Sequence, residues 1–336
     1  MTKMLETVSQ NNFVDDCRGQ TSRLLGKRYL CGWAVVALFL VIDVAWLYLS
    51  GCSVQADGIV PAVKAIGALS CIAVGFGCMA KIPRYKLATK KLRYAEIACT
   101  AAWLMLLLFF TSVTGVLSYI SVTVNAPLVD ASLLRFDRAL GFDWPSVYHW
   151  VHSHVAVQRI LALAYDSGIW QLMGIPPVLG LLGRHEDLSD FVLHLMLSSI
   201  LLLLVSTPFP AASAFLHFNI AGPNTAATVS DFNLLRNGTM RHFDLTQMQG
   251  LVSFPSFHTA LAVFFAYSLR RSVMLFPFAI PLNAAMVIST PTQGGHYLAD
   301  VFGGLILAFV TIQVLRFALG KRAMSRTPFQ ANATAG

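Results

Sequence analysis

Charge is scarce in this chain of 336 residues. Only 12% are Asp, Glu, Lys or Arg, against roughly 25% in a soluble globular protein. That scarcity excludes intrinsic disorder, which needs low hydrophobicity and high charge, and it argues against an ordinary soluble enzyme of two domains. Cysteine is sparse as well. The six cysteines (Cys17, Cys31, Cys52, Cys71, Cys78 and Cys99) form no CxxC pair, which argues against a disulfide-stapled secreted scaffold. Most lie in apolar stretches and read as small core residues. Lysine is missing altogether between Lys91 and Lys321. Internal repeats are absent too, and no cleavable signal pattern precedes the first apolar stretch.

What the chain has in abundance is apolar surface. Hydrophobic residues make up 56% of it, and the mean hydropathy is +0.64. The expected fold class is therefore all-α, a polytopic membrane bundle of about eight transmembrane helices. A helix needs about 20 apolar residues to cross a bilayer. Stretches near 29–50, 59–80, 94–120, 158–182, 189–207, 255–269, 273–290 and 297–318 meet or approach that length. The expected organisation is a cytoplasmic arm over 1–28, two spans and a basic loop over 29–93, a membrane core over 94–320 and a cytoplasmic tail over 321–336.

The net charge of +8 would raise nucleic acid as a partner in a soluble protein. In a membrane protein, cytoplasmic loops rich in Lys and Arg account for it, so the lipid bilayer is the expected partner and nucleic acid is not. With the N-terminus placed inside, 18 Lys and Arg fall on one side. Five fall on the other: Arg135, Arg138, Arg159, Arg236 and Arg241. This split predicts both termini in the cytoplasm of a multi-pass protein, with the plasma (inner) membrane as the expected location. Two long segments, about 121–155 and 208–254, then face outward, and loops of that length are usually functional. Trp144, Tyr148 and Trp150 in the first suit a helix lying in the headgroup layer.

Two C-terminal motifs carry the chemistry. His296 and Asp300 stand four apart where a helix begins, so they share a face. The carboxylate can hold one ring nitrogen and leave the other free to attack. A shared metal site is the other reading of such a pair, and a helix-start charge is a third for Asp300. In the second motif, Pro255 suits a first helical turn and Ser253 a cap. His258 then lies in the opening turn, where the helix N-terminus favours anions. Both histidines fall on the outer side. His149, His152, His154, His194 and His217 read as structural.

The residues "FPSFH" at 254–258 and "HYLAD" at 296–300 resemble the second and third signature motifs, PSGH and SRx5HxxxD, of the type-2 phosphatidic acid phosphatase superfamily. Ser289 lies seven residues before His296, as in the third motif. Phe257 replaces the glycine of PSGH and Thr290 the arginine of the third motif. The first motif, KxxxxxxRP, has no lysine to form it in the outer loops. The segment "LVDASLLRFDRALGFDW" at 128–144 resembles the branch of inositol phosphorylceramide synthase, and the lost features agree with that branch.

The resemblance implies a phosphohistidine route without metal or cofactor. His296 would be the nucleophile oriented by Asp300, and His258 the acid and then the base. Arg236, Arg241, Ser256 and the backbone near Gly294 and Gly295 would hold the phosphate oxygens. The two arginines also read as solvated loop charges. Asp166 near the outer end of the fourth span would support the site; helix–helix hydrogen bonding is its other reading. The expected function is a lipid phosphotransferase or phosphatase acting on a phospholipid-type phosphoester at the extracytoplasmic face. The alternatives are a polyprenyl pyrophosphate phosphatase and, from another class, a transporter or non-catalytic membrane protein. The lipid substrate, the acceptor and the oligomeric state are not legible in the sequence.

Overall fold

The computed structural model describes residues 2–220 and 231–320; the expected tail at 321–336 and part of the second long loop lie outside the described residues. The side chains of residues 2–23 lie outside them too, including those of Lys3, Arg18 and Arg23 in the N-terminal arm. Twelve helices are named here. They are α1 (Thr2–Ser50), α2 (Ala56–Lys81), α3 (Lys86–Lys91), α4 (Tyr94–Val122), α5 (Asp130–Ala139) and α6 (Trp144–Ser153). After these come α7 (Val155–Leu181), α8 (His185–Ser206), α9 (Ala214–His217), α10 (Phe257–Leu269), α11 (Phe276–Gln293) and α12 (Leu298–Gly320). The fold is a nearly all-helical bundle of a polytopic membrane protein, as the composition predicts.

Helices stand at all eight expected places. Five are long and apolar enough to span a bilayer: Leu24–Ser50, Ala56–Lys81, Tyr94–Val122, His185–Ser206 and Leu298–Leu319. The α10 helix is apolar but has only 13 residues. Prolines interrupt α7 and α11, and polar residues such as Gln171 and Asn283 join them. The Asn283 amide donates to the Gln171 side-chain oxygen at 2.9 Å. That bond satisfies two polar groups that would cost free energy if left alone in an apolar layer.

The core forms where α4, α8, α10 and α12 meet. Leu106 and Ile120 of α4, Leu188 and Phe191 of α8, Phe265 of α10 and Ala308 of α12 are fully buried there. By contrast, α2 packs chiefly on α4 and is otherwise peripheral. At one end of the bundle, Arg28 pairs with Asp190 at 3.0 Å, and Arg184 and Arg271 both reach Asp187. Three basic residues counted on one side in the sequence thus meet at one end.

The opposite end carries the motifs. Since α11 runs back between α10 and α12, the starts of α10 and α12 share that end. Gly304 lets them meet: a Cβ there would collide with the carbonyl oxygen of Ser256. A short parallel pair, β1 (Ser53–Val54) with β2 (His242–Phe243), ties the second long loop to the α1–α2 turn.

In the 121–155 segment, Trp144 departs from the expected place at a membrane surface. The segment carries α5 and α6, and Trp144 is 1% exposed. It stacks between Tyr148 and Phe218. A buried indole N–H needs a partner, and this one finds it in a backbone carbonyl. Trp150, by contrast, is exposed.

Candidate active site

His258 and His296 line one cavity of about 490 Å³ at the motif-bearing end, a volume in the range of small-molecule sites. Its walls come from α4, α7, α8, the start of α10, the 249–253 segment and the turn at 293–296. Sequence spacing brought the two histidines to one end; the fold brings them to one cavity.

The His296 side is built around a carboxylate. The Nδ1 atom of His296 lies 3.3 Å from Asp300 Oδ2. The same oxygen accepts the Ser253 hydroxyl at 3.2 Å and the Tyr297 N–H at 2.9 Å. Asp300 is wholly buried, so these donors offset the cost of its charge. The Asp300 carbonyl accepts the Ser256 N–H at 2.9 Å, which locks the second motif to the third. With Nδ1 turned to Asp300, His296 keeps Nε2 for the cavity. Ser253 does not cap α10 as expected. Ser256 does so, accepting from the Thr259 N–H at 3.4 Å.

On the other side, Tyr165 of α7 lies against His258. The two rings stack with centroids 4.3 Å apart, and the phenol oxygen is 3.2 Å from Nδ1. Sequence reading missed Tyr165; it singled out its neighbour Asp166, which also lines the cavity.

The turn bearing His296 is clamped by the 130–144 segment. Asp137 accepts the N–H groups of Leu298 and Ala299, each at 2.9 Å. It thereby caps the first turn of α12 with a carboxylate. Burial pushes the Asp137 pKa up, and those two N–H groups pull it back. Asp130 accepts the Tyr297 hydroxyl at 3.1 Å and the Ala212 N–H. Trp144 donates its indole N–H to the His296 carbonyl at 3.1 Å. Gly295 adopts φ +64°, and its carbonyl accepts from the Ser213 hydroxyl and the Ala214 N–H. Asp130 and Asp137 had no sequence signal beyond membership of the 128–144 resemblance, and Ser213 had none.

The expected phosphate-holding residues fare differently. Gly294 lines the cavity, but its N–H is committed to the Thr290 carbonyl at 3.0 Å because it ends α11. Ser256 is buried as the α10 cap and, like Gly295, is not in the cavity wall. Arg241 is not brought to the cavity. Its guanidinium donates to the carbonyls of Ser50 and Gly238, fastening the loop to the end of α1. Arg236 comes nearer. It lines a small recess that shares Leu251, Val252 and Ser253 with the main cavity. One of its nitrogens donates to the Ala126 carbonyl at 2.9 Å, and Nη1 is buried without a partner. Among the described residues no Lys or Arg lines the main cavity.

Comparison with known proteins gives one result that bears on this arrangement: the profile of the PAP2 superfamily matches residues 131–314. The chain belongs to the PAP2 superfamily. The matched stretch takes in both histidine motifs, Asp137 and Trp144, while α1, α2 and α4 precede it. No curated protein and no solved structure matches this PAP2 protein. Membership implies a phosphatase or phosphotransferase of that family acting on lipid phosphates in general.

Proposed function

We propose that this PAP2 protein is a lipid phosphotransferase that moves a phosphoalcohol headgroup from a phospholipid to a second alcohol at the extracytoplasmic face. The observation that carries the reading is the meeting of His258 and His296 on one cavity. His296 Nε2 attacks phosphorus; the P–N bond forms as the P–O bond to the departing lipid alcohol breaks. His258 gives its Nε2 proton to that oxygen, a general-acid role worth ~10²–10⁴-fold. An incoming alcohol then loses its proton to His258 and attacks phosphorus, releasing His296. Water in place of the alcohol releases the phosphoalcohol and makes the same cycle a phosphodiester hydrolase.

The cavity wall supports transfer from a phosphodiester. An anion in a low-dielectric site needs compensating charge. The wall offers two imidazoles, no Lys or Arg among the described residues, and the carboxylate of Asp166. A phosphodiester brings one negative charge, whereas a polyprenyl pyrophosphate brings more. Arg236, with Nη1 unpaired behind Ser253, is the cation placed to serve the phosphate, and the opening turn of α10 supplies a favourable dipole. Asp166, Thr114 and Gln249 in the same wall suit the hydroxyls of a headgroup. The 128–144 segment clamps the His296 turn, and its resemblance to the inositol phosphorylceramide synthase branch supports reading the protein as a transferase.

The test is direct. Purified protein in liposomes receives a phospholipid labelled at phosphorus together with a lipid alcohol. Label in a second lipid supports transfer, and label in a water-soluble phosphoalcohol makes the protein a hydrolase. Retention of full turnover by His296→Ala sinks the catalytic reading and favours a non-catalytic or transport role.

A further inference from the structure

Tyr165 touches both halves of the site. Its ring stacks on His258 with an interplanar angle of 21°, and its oxygen stands 3.2 Å from Nδ1. On its other side the ring presses on the turn that carries His296. A Cβ at Gly294 would sit 2.8 Å from the phenol oxygen and 2.9 Å from Cε2, so the residue two before His296 has room for hydrogen alone. Tyr165 is also part of the cavity wall. It comes from just before the centre of α7, a helix with no motif of its own. A structural filler at this place would need neither the hydroxyl nor the parallel stack.

We infer that Tyr165 is a positioning residue that sets the plane and the proton placement of His258 and fixes its separation from His296. The inference rests on the proposed acid–base role of His258. With Nδ1 faced by the phenol, Nε2 is the ring nitrogen that exchanges a proton with the leaving and entering oxygens. Removal of the hydroxyl leaves the stack in place and frees the imidazole to change tautomer. Removal of the ring lets the imidazole turn.

The experiment compares the full-length protein with Tyr165→Phe and Tyr165→Ala on two phosphodiesters. Both carry the same phosphoryl headgroup; one has an alkyl and the other a nitrophenyl leaving group. A nitrophenolate departs without a proton, so a residue acting through the general acid is needed mainly for the alkyl ester. Tyr165→Phe is expected to lower kcat on the alkyl ester at least ~10-fold more than on the aryl ester, part of the range of general-acid catalysis. It is also expected to move the limb of the alkyl pH profile that reports His258. Equal losses on both esters, or no loss, overturn the inference. A second readout is independent of turnover: ¹⁵N spectra of the His258 ring, assigned with His258→Gln. Tyr165→Phe is expected to change the Nδ1 signal, and an unchanged signal overturns the inference. If the signal changes while the unaltered protein turns over neither ester, the proposed function fails and the placement of His258 by Tyr165 stands.

Discussion

The indole N–H of Trp144 donates to the backbone carbonyl of His296 at 3.1 Å, across 152 positions of sequence. Trp144 is 1% exposed, so the bond lies out of water. Replacement by Phe keeps most of the ring packing and orphans the carbonyl, which costs ~1–3 kcal/mol for a buried group. Trp144→Phe is expected to lower kcat with little change in expression, because the carbonyl belongs to the residue proposed as the nucleophile. Turnover of a labelled phospholipid alongside the yield of folded protein on gel filtration checks this.

Asp137 offers a sharper version of the same test. Its two carboxylate oxygens take the N–H groups of Leu298 and Ala299, and loss of such a cap costs ~0.5–2 kcal/mol. Asp137→Ala is expected to lower the thermal midpoint in detergent and to lower activity. Asp137→Asn, with one acceptor oxygen left, is expected to fall between the two. Equal activity of all three proteins would show that the α12 cap does not orient the His296 turn.

The bundle and the two histidine motifs were legible in the sequence because their signals are local. Apolar runs of about twenty residues define spans, and a His and Asp four apart on a helix must share a face. The charge inventory placed Arg28, Arg184 and Arg271 on one side, and the fold gathers them at one end. The site's supporting residues were not legible. Tyr165, Asp130 and Asp137 are joined to the motifs by contacts across 93 to 167 positions, and no periodicity marks such contacts. Trp144 was legible only as an aromatic suited to a membrane surface, since a tryptophan looks the same in sequence whether its N–H meets water or a carbonyl. Arg241 was grouped with Arg236 for its charge. Its fastening to Ser50 depends on the pairing of β1 with β2, which two-residue strands do not announce.

Arg236 and Arg241 are separable by mutation. Arg236 faces the recess behind Ser253 with Nη1 unpaired, and Arg241 is spent on the loop. Arg236→Ala is expected to raise KM for the phospholipid, and Arg236→Lys to restore part of the loss, since an ammonium supplies the charge without the bidentate geometry. Arg241→Ala is expected to leave KM near its starting value and to loosen the loop, seen as faster protease cleavage between residues 237 and 247. A rise in KM from Arg241→Ala alone would reverse the two roles.

Gly304 tests whether the approach of α12 to the second motif matters for chemistry rather than for folding alone. A methyl group at this position meets the Ser256 carbonyl and the Thr259 side chain, and crowding of a packed contact costs ~1–3 kcal/mol. The backbone of 253–256 is the part that must give way. It holds the Ser253 hydroxyl on Asp300 and the Ser256 N–H on the Asp300 carbonyl, so a shift there loosens the carboxylate that orients His296. Gly304→Ala is expected to slow formation of an acid-labile phosphoenzyme, trapped with labelled substrate and quenched in alkali, more than it lowers thermal stability. A variant that unfolds earlier yet traps phosphoenzyme at the original rate would separate the helix crossing from the nucleophile.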